Sequence, residues 1–249
     1  MEWYEILITI GIGLIAGFIN TLAGSGSLLT LPLLMFMGLP ANVANGTNRI
    51  AILLQNVVGV SSFKQQKVFN FKEGIWLAIP AIIGSILGAI LAVDINEEIM
   101  EKFIAGLLVF MFFFILYKPE RWLIGKAEIK SKPGFWKIII FFFIGVYGGF
   151  IQAGVGFFLL AGLVLGTGFD LVKANAIKVF IVLLYTAFAL AIFMINDHVN
   201  YVVGLVLAIG NMLGAFIASR LAVKKGSKFI RVILLTTLLI SSVKLFGLF

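Results

Sequence analysis

Six long and mostly apolar stretches constrain the fold of this 249-residue chain more than any other feature of its sequence. A helix needs about 20 mostly apolar residues to cross a bilayer, and each stretch approaches that length. They are Ala44–Phe63, Gly74–Val93, Ile99–Tyr117, Ile177–Ile195, Val199–Leu221 and Ile230–Phe249. Charged residues make up 12% of the chain, too few for the surface of a soluble domain, which carries about 25%. The sequence therefore predicts an all-α polytopic membrane protein.

The composition also excludes several classes of protein. A chain that is 61% hydrophobic is neither disordered nor a nucleic-acid-binding module. It has no cysteine and a single histidine, His198, which excludes a disulfide framework, a thiolate metal site and a histidine cluster. The sequence has no P-loop and no paired carboxylates, so we expect no enzyme activity and no cofactor.

Two polar, glycine-rich breaks each separate a pair of shorter apolar pieces. We call Asn20–Ser27 the first break and Gln152–Gly156 the second break. The flanking pieces are Tyr4–Ile19, Leu28–Gly38, Phe135–Ile151 and Phe157–Gly168. Pieces this short form either the half-helices of a re-entrant hairpin or short tilted spans, and the sequence leaves both open.

The two halves of the chain are related by a shift of 130 positions. Asn45 falls on Asn175 and Gly38 falls on Gly168. In a leucine-rich chain, shared glycine and asparagine are better evidence of duplication than shared leucine. Each repeat is predicted to contain a broken-helix hairpin followed by three transmembrane helices. The predicted units are a first repeat at 1–117, a cytoplasmic linker at 118–134 and a second repeat at 135–249.

The basic residues predict the orientation in the membrane. Most of the 19 lysines and arginines lie in three loops, and placing all three loops in the cytoplasm satisfies the positive-inside rule. Each half then crosses the membrane an odd number of times, so the two homologous halves have opposite orientations. We therefore expect an inverted repeat, a plan common among secondary transporters. The protein is predicted to lie in the cell membrane with both termini outside.

The two breaks are the first candidate for a binding site. Inverted-repeat transporters bind substrates near the midplane, where helices are broken. The first N–H groups of the half-helices that follow would attract an anion. Close helix packing at small residues is the alternative interpretation of these glycines. The candidate substrate-binding residues of the breaks are Asn20, Thr21, Gly24, Ser25, Gly26, Ser27, Gln152, Gly154 and Gly156.

A second candidate cluster stands near the start of one apolar stretch in each half. Its candidate substrate-binding residues are Asn45, Thr47, Asn48 and Arg49, with Asn175 and Lys178 in the second half. Helix capping by the asparagines and snorkelling of Arg49 and Lys178 to the interface are the alternatives. No acidic residue lies in the middle of an apolar stretch, which favours an anion over a cation or a carboxylate proton relay.

The segment Gly17–Gly59 resembles the opening of the TauE/SafE family of membrane permeases. Its glycine-rich turn is followed by an apolar piece with Pro32 and by the second signature of that family. The matching residues of this signature are Gly38, Leu39, Ala44, Gly46 and Thr47. The weaker second copy, Gly148–Lys178, also resembles the family's repeat. The resemblance implies export or uptake of sulfite, sulfonates and related small organosulfur anions.

These features together predict a secondary transporter of small anions that works by alternating access, with substrate at the two breaks. A channel for another small anion and a non-transporting assembly or scaffold protein are the alternatives. The expected partners are a small anionic substrate and the lipid bilayer, and no nucleic acid. A homo-oligomer is compatible with the sequence.

Overall fold

The computed structural model of the chain describes residues 1–68, 71–116 and 134–245, and the regular structure over these ranges is helical throughout. The helices are α1 (Trp3–Leu22), α2 (Ser27–Phe36), α3 (Ala41–Gln65), α4 (Phe71–Asp94), α5 (Glu97–Leu116), α6 (Phe135–Phe150), α7 (Val155–Thr167), α8 (Leu171–Ile195) and α9 (Tyr201–Leu245). Gly226 interrupts α9 with a φ of 72° and a ψ of −171°. The predicted all-α fold is confirmed.

Four helices in the described ranges are long and apolar enough to cross a membrane. They are Trp3–Leu22, Gly74–Asp94, Leu171–Ile195 and Tyr201–Ile233. The set includes α1, so the prediction that each half opens with two short pieces is wrong for the first helix. It omits α3, in which buried polar residues such as Asn48 and Gln55 lower the hydropathy. These side chains face other helices, so α3 is shielded from lipid by the rest of the protein.

Each break contains a non-helical turn, and the two turns have similar lengths. The first separates Leu22 from Ser27, and the second separates Phe150 from Val155. Each contains a glycine with a left-handed backbone, Gly24 with a φ of 81° and Gly154 with a φ of 72°. A side chain is disfavoured in this conformation. The half-helices that follow, α2 and α7, have 10 and 13 residues, close to the predicted lengths.

The helix bounds repeat with the spacing found in the sequence. The helices α3 and α8 each have 25 residues, and their first residues, Ala41 and Leu171, are 130 positions apart. Phe71 and Tyr201, the first residues of α4 and α9, have the same separation. Gly226 divides α9 at the place where the first half has the connection between α4 and α5. The two halves therefore contain matching helices in the same order.

The helices α3 and α8 lie side by side in the core and run antiparallel. Gly46, near the start of α3, lies against Phe193, near the end of α8. Gly59, near the end of α3, lies against Val179, near the start of α8. Most residues of both helices are buried. Equivalent helices of the two halves therefore face each other at the centre of the protein.

The first helix of each half packs against the other half. The helix α1 runs parallel to α9, and its counterpart α6 runs parallel to α4. The closest backbone approaches are Gly13 to Leu207, Gly17 to Asn211, Gly145 to Ala81 and Gly149 to Ser85. Glycine permits these approaches because a Cβ would overlap the partner backbone, as is common between membrane helices. The contacts of α1 with α9 and of α6 with α4 therefore hold the two halves together.

Two parts of the prediction extend beyond the described residues. The linker at 118–134 lies outside them apart from Gly134, and so do the last residues of the predicted spans Ile99–Tyr117 and Ile230–Phe249. The division of the chain into two repeats and a linker therefore stays a prediction.

Candidate functional site

The two breaks meet at Gly24 and Gly156. The backbone N–H of Gly156 donates to the carbonyl oxygen of Gly24 at 3.3 Å. A Cβ on either glycine would overlap the backbone of the other. Gly26 lies elsewhere, because a Cβ there would meet the carbonyl of Ala16 in α1. Of the glycines predicted in the breaks, Gly24 and Gly156 therefore form the junction, and Gly26 packs against α1.

Lys178 is buried beside this junction, with 2% of its surface exposed. Its Nζ donates to the carbonyl oxygens of Asn20 at 3.0 Å and of Thr21 at 2.8 Å. These are carbonyls of the last turn of α1, where the helix carries a partial negative charge. Burial contradicts the interpretation that Lys178 snorkels to an interface.

Arg49 makes the corresponding contacts at the end of α6. It is fully buried, and its guanidinium donates to the carbonyl oxygens of Gly148 at 3.1 Å and of Gly149 at 2.6 Å. It also donates to Gln152 Oε1 at 3.4 Å and lies 4.5 Å from the centroid of the Phe193 ring. The snorkelling interpretation of Arg49 is therefore also wrong. Each buried cation stabilises the C-terminal end of the broken helix from the opposite half.

The two cations lie on opposite sides of the junction. Lys178 is adjacent to Val179, which contacts Gly59, and Gly59 is ten residues beyond Arg49 in α3. A rise of 1.5 Å per residue places the backbone positions of the two residues about 15 Å apart along the axis of α3. Neither has a carboxylate within ion-pair distance among the described residues. A buried charge without a counter-charge is costly, so both sites favour a negative group nearby.

Asn45 and Asn175 are equivalent in sequence but differ in their contacts. Asn45 Nδ2 donates to the carbonyl oxygen of Phe150 at 2.7 Å, and its Oδ1 accepts from Arg49 at 3.4 Å. Both polar atoms of Asn175 are buried without a hydrogen-bond partner among the described residues. Neither residue is an N-cap, since α3 begins at Ala41 and α8 is capped by Asp170. The helix-capping interpretation is therefore wrong for both.

A layer of amides joins the helices beside the breaks. Asn20 Nδ2 and Asn211 Nδ2 both donate to Gln55 Oε1, at 3.3 Å and 3.2 Å. In the second break, Gln152 Nε2 donates to Thr186 Oγ1 at 2.8 Å. Gln152 has a φ of 58°, a left-handed conformation that costs a residue with a side chain about 1–2 kcal/mol. A strained conformation persists only where the surrounding structure maintains it, which indicates that the Gln152 amide is held in one position.

Other predicted residues form hydrogen bonds within the protein at the start of α2 and α9. Asn48 Nδ2 donates to Ser27 Oγ at 3.2 Å, and Asn48 Oδ1 accepts from Thr30 at 2.7 Å. Thr47 Oγ1 accepts from the backbone N–H of Asn200 at 2.8 Å, so it holds the connection before α9 and does not join the breaks. Thr21 and Ser25, by contrast, have buried hydroxyl groups without partners among the described residues.

The first N–H groups of α7 have acceptors within the protein. Val155 donates to the carbonyl of Gln152 at 3.4 Å, and Phe157 donates to the carbonyl of Gly154 at 3.1 Å. The N–H of Gly156 lies against Gly24, as described above. The half-helix begins at Val155, two residues before the predicted start at Phe157. In this conformation the positive charge at the junction comes from side chains more than from free backbone donors.

A small cavity lies between the two breaks. Its volume is about 10 Å³, room for about one water molecule. It is lined by Asn20, Gly24, Asn56, Gln152, Val155, Gly156, Lys178 and Val182. Asn56 is not among the predicted substrate-binding residues, but as an amide in the middle of an apolar stretch it is predicted by the sequence to line a polar path. Val155 and Val182 gave no such signal, because apolar residues are ordinary in these helices.

Comparison of the sequence with known proteins identifies a family and several relatives. The family model described as "Sulfite exporter TauE/SafE" matches residues 9–245. The chain is 29% identical over 233 residues to the probable membrane transporter protein ORF9 of Sinorhizobium sp., covering 93% of this chain and 88% of that protein. It is 28% identical to the probable membrane transporter protein YfcA of Escherichia coli K12, covering 94% and 87%. For the probable membrane transporter protein YjnA of Bacillus subtilis 168, the identity is 27% and the coverage is 94% and 96%. No solved structure matches.

Proposed function

Because the chain belongs to the sulfite exporter TauE/SafE family of membrane transporters, we propose that it is a secondary transporter of small anions. The proposed substrates are sulfite, sulfonates and related organosulfur anions. The proposed binding site is the junction of the two breaks, and the proposed cycle is alternating access. That the chain is a multi-pass membrane transporter and not an enzyme follows from its family and relatives.

The observation that supports anion binding best is the position of Lys178. Its ammonium group is buried at the cavity and has no carboxylate partner among the described residues. The carbonyl oxygens of Asn20 and Thr21 supply only partial negative charge. A bound anion would supply the remaining counter-charge in a site of low dielectric constant, where such a pair is strong.

The distribution of acidic residues supports an anion over a cation. Of the acidic side chains that the structure describes, none is buried. Cation sites and proton relays inside membranes normally use a buried carboxylate. The described core instead contains amides, hydroxyl groups and the two cations Arg49 and Lys178, which suits a negatively charged substrate.

The packing supports alternating access by an inverted repeat. Equivalent helices α3 and α8 are antiparallel, which is the relation that a two-fold axis in the membrane plane produces. The contact between Gly24 and Gly156 leaves too little space for a sulfonate. Substrate entry therefore requires the two breaks to separate, first towards one side of the membrane and then towards the other.

Uptake into liposomes tests this function. The purified chain in liposomes should give saturable uptake of labelled sulfite and methanesulfonate, and internal unlabelled anion should accelerate that uptake by counterflow. Empty liposomes are the control. Flux that does not saturate and shows no counterflow would indicate a channel. Absence of flux for both anions would leave the scaffold alternative and contradict the proposal.

A further inference from the structure

The two buried cations have equivalent positions but differently completed surroundings. We define the Arg49 half-site as Asn45, Arg49 and the last carbonyls of α6, and the Lys178 half-site as Asn175, Lys178 and the last carbonyls of α1. In the Arg49 half-site, the Asn45 amide bridges Arg49 and the carbonyl of Phe150. The guanidinium donates to the carbonyls of Gly148 and Gly149 and to Gln152, and only its Nε lacks an acceptor within the described ranges. This half-site makes more hydrogen bonds within the protein than the Lys178 half-site, although the hydroxyl of Tyr185 beside Gly148 is also buried without a partner among the described residues.

The Lys178 half-site is incomplete. Asn175 is fully buried, and neither its Nδ2 nor its Oδ1 has a partner among the described residues. Lys178 uses two of its three ammonium donors on α1 carbonyls. The hydroxyl of Thr21, whose carbonyl Lys178 contacts, is also buried without a partner. Buried polar groups are nearly always satisfied, so this cluster offers hydrogen-bonding groups that are available to a ligand.

The cavity lies with the incomplete half-site. Lys178 lines it together with Gln152 and Asn56, whereas Arg49 does not. Asn175 does not line the cavity, but it lies three residues before Lys178 on the same face of α8. The cavity between the breaks is therefore lined by the ammonium group of Lys178 and not by the guanidinium of Arg49.

We propose that the substrate anion binds in the Lys178 half-site, held by Lys178 and Asn175, while the Arg49 half-site fixes the end of α6. This inference rests on the proposed function and narrows its site. One ammonium group surrounded by neutral amides balances a single negative charge on the bound substrate. The second charge of a dianion would have no second cation among the described residues, because the Arg49 guanidinium already donates to the last carbonyls of α6. The substrate class is therefore a monoanion such as a sulfonate or hydrogensulfite, selected over sulfate.

A matched pair of variants tests this division of roles. The dissociation constant for methanesulfonate is measured by calorimetry in detergent, and the unfolding temperature is measured on the same samples. Asn175→Ala should weaken binding about tenfold, the loss of one hydrogen bond to a charged group. The unfolding temperature should change little, since the Asn175 amide forms no hydrogen bond to the described residues. Asn45→Ala should lower the unfolding temperature and keep the dissociation constant within about twofold.

A Lys178 variant and competition by sulfate test the same inference. Lys178→Met, which removes the charge but keeps an unbranched side chain only one atom shorter, should abolish methanesulfonate binding. Sulfate should compete at least about tenfold more weakly than methanesulfonate. Wild-type affinity in Asn175→Ala or Lys178→Met would overturn the inference while leaving the function intact, and so would equal competition by sulfate. A wild-type protein that binds and transports neither methanesulfonate nor sulfite would contradict the proposed function itself.

Discussion

Arg49 illustrates how a buried cation can stabilise a broken membrane helix. Its guanidinium satisfies the carbonyls of Gly148 and Gly149, which have no intrahelical partner at the end of α6. The shorter side chain in the Arg49→Gln variant cannot reach both carbonyl groups. We therefore expect this variant to lose about 1.5–3 kcal/mol of folding stability. Thermal unfolding of the detergent-purified protein measures this loss. The dissociation constant for methanesulfonate should change little.

Arg220 provides the control for this prediction. It is an exposed arginine of α9 whose guanidinium lies over the ring of Phe216. Arg220→Gln should change stability by no more than about 0.5 kcal/mol, as is usual at the surface. If Arg49→Gln instead weakened methanesulfonate binding and left the unfolding temperature unchanged, Arg49 would be a substrate-binding residue.

At the scale of the elements, the contact between the two breaks is the feature most sensitive to a small increase in side-chain size. Gly24 has a φ of 81°, and a methyl group there would overlap Gly156. Gly24→Ala should therefore force the breaks apart and reduce the transport rate by at least about tenfold. Initial rates of methanesulfonate uptake into liposomes, normalised to the inserted protein, measure the effect.

Gly38 is a matched control for the backbone strain at Gly24. It has a φ of 84°, and no atom in the described part of the chain lies within 4 Å of an added Cβ. Gly38→Ala therefore has a similar conformational cost, about 1–2 kcal/mol, without the overlap between breaks. It should retain most of the transport rate. Equal losses in both variants would assign the effect to backbone strain and not to the junction.

At the scale of the whole molecule, the opposite orientation of the two halves is the main prediction. Lys67 and Asp197 are 130 positions apart, both follow the end of a core helix, and both have a left-handed backbone, with φ values of 57° and 56°. Because the chain has no cysteine, single cysteines can be introduced without background. Lys67→Cys should react with an impermeant reagent only from the cytoplasmic side, and Asp197→Cys only from outside. Labelling of both from one side would contradict the inverted repeat.

The sequence by itself determined the membrane environment, the order of the helices and the positions of the two breaks. These properties depend on local hydropathy and on glycine at turns, and they are repeated at a fixed spacing. The shift of 130 positions found in the sequence matches the starts of α3 and α8 at Ala41 and Leu171. The family was also recognisable from short motifs such as the one that ends at Gly46 and Thr47.

Only the tertiary structure decided how the polar residues are used. Arg49 contacts carbonyls about 100 residues away, and Lys178 contacts carbonyls about 158 residues away. No local pattern encodes such contacts, because they form only when the first helix of each half packs against the other half. The same packing leaves Asn45 bonded and Asn175 without a partner, although the two residues are equivalent in sequence. Asn45 and Asn175 are therefore equivalent in hydropathy and spacing, and they differ only in the hydrogen bonds that packing in the shared core gives them.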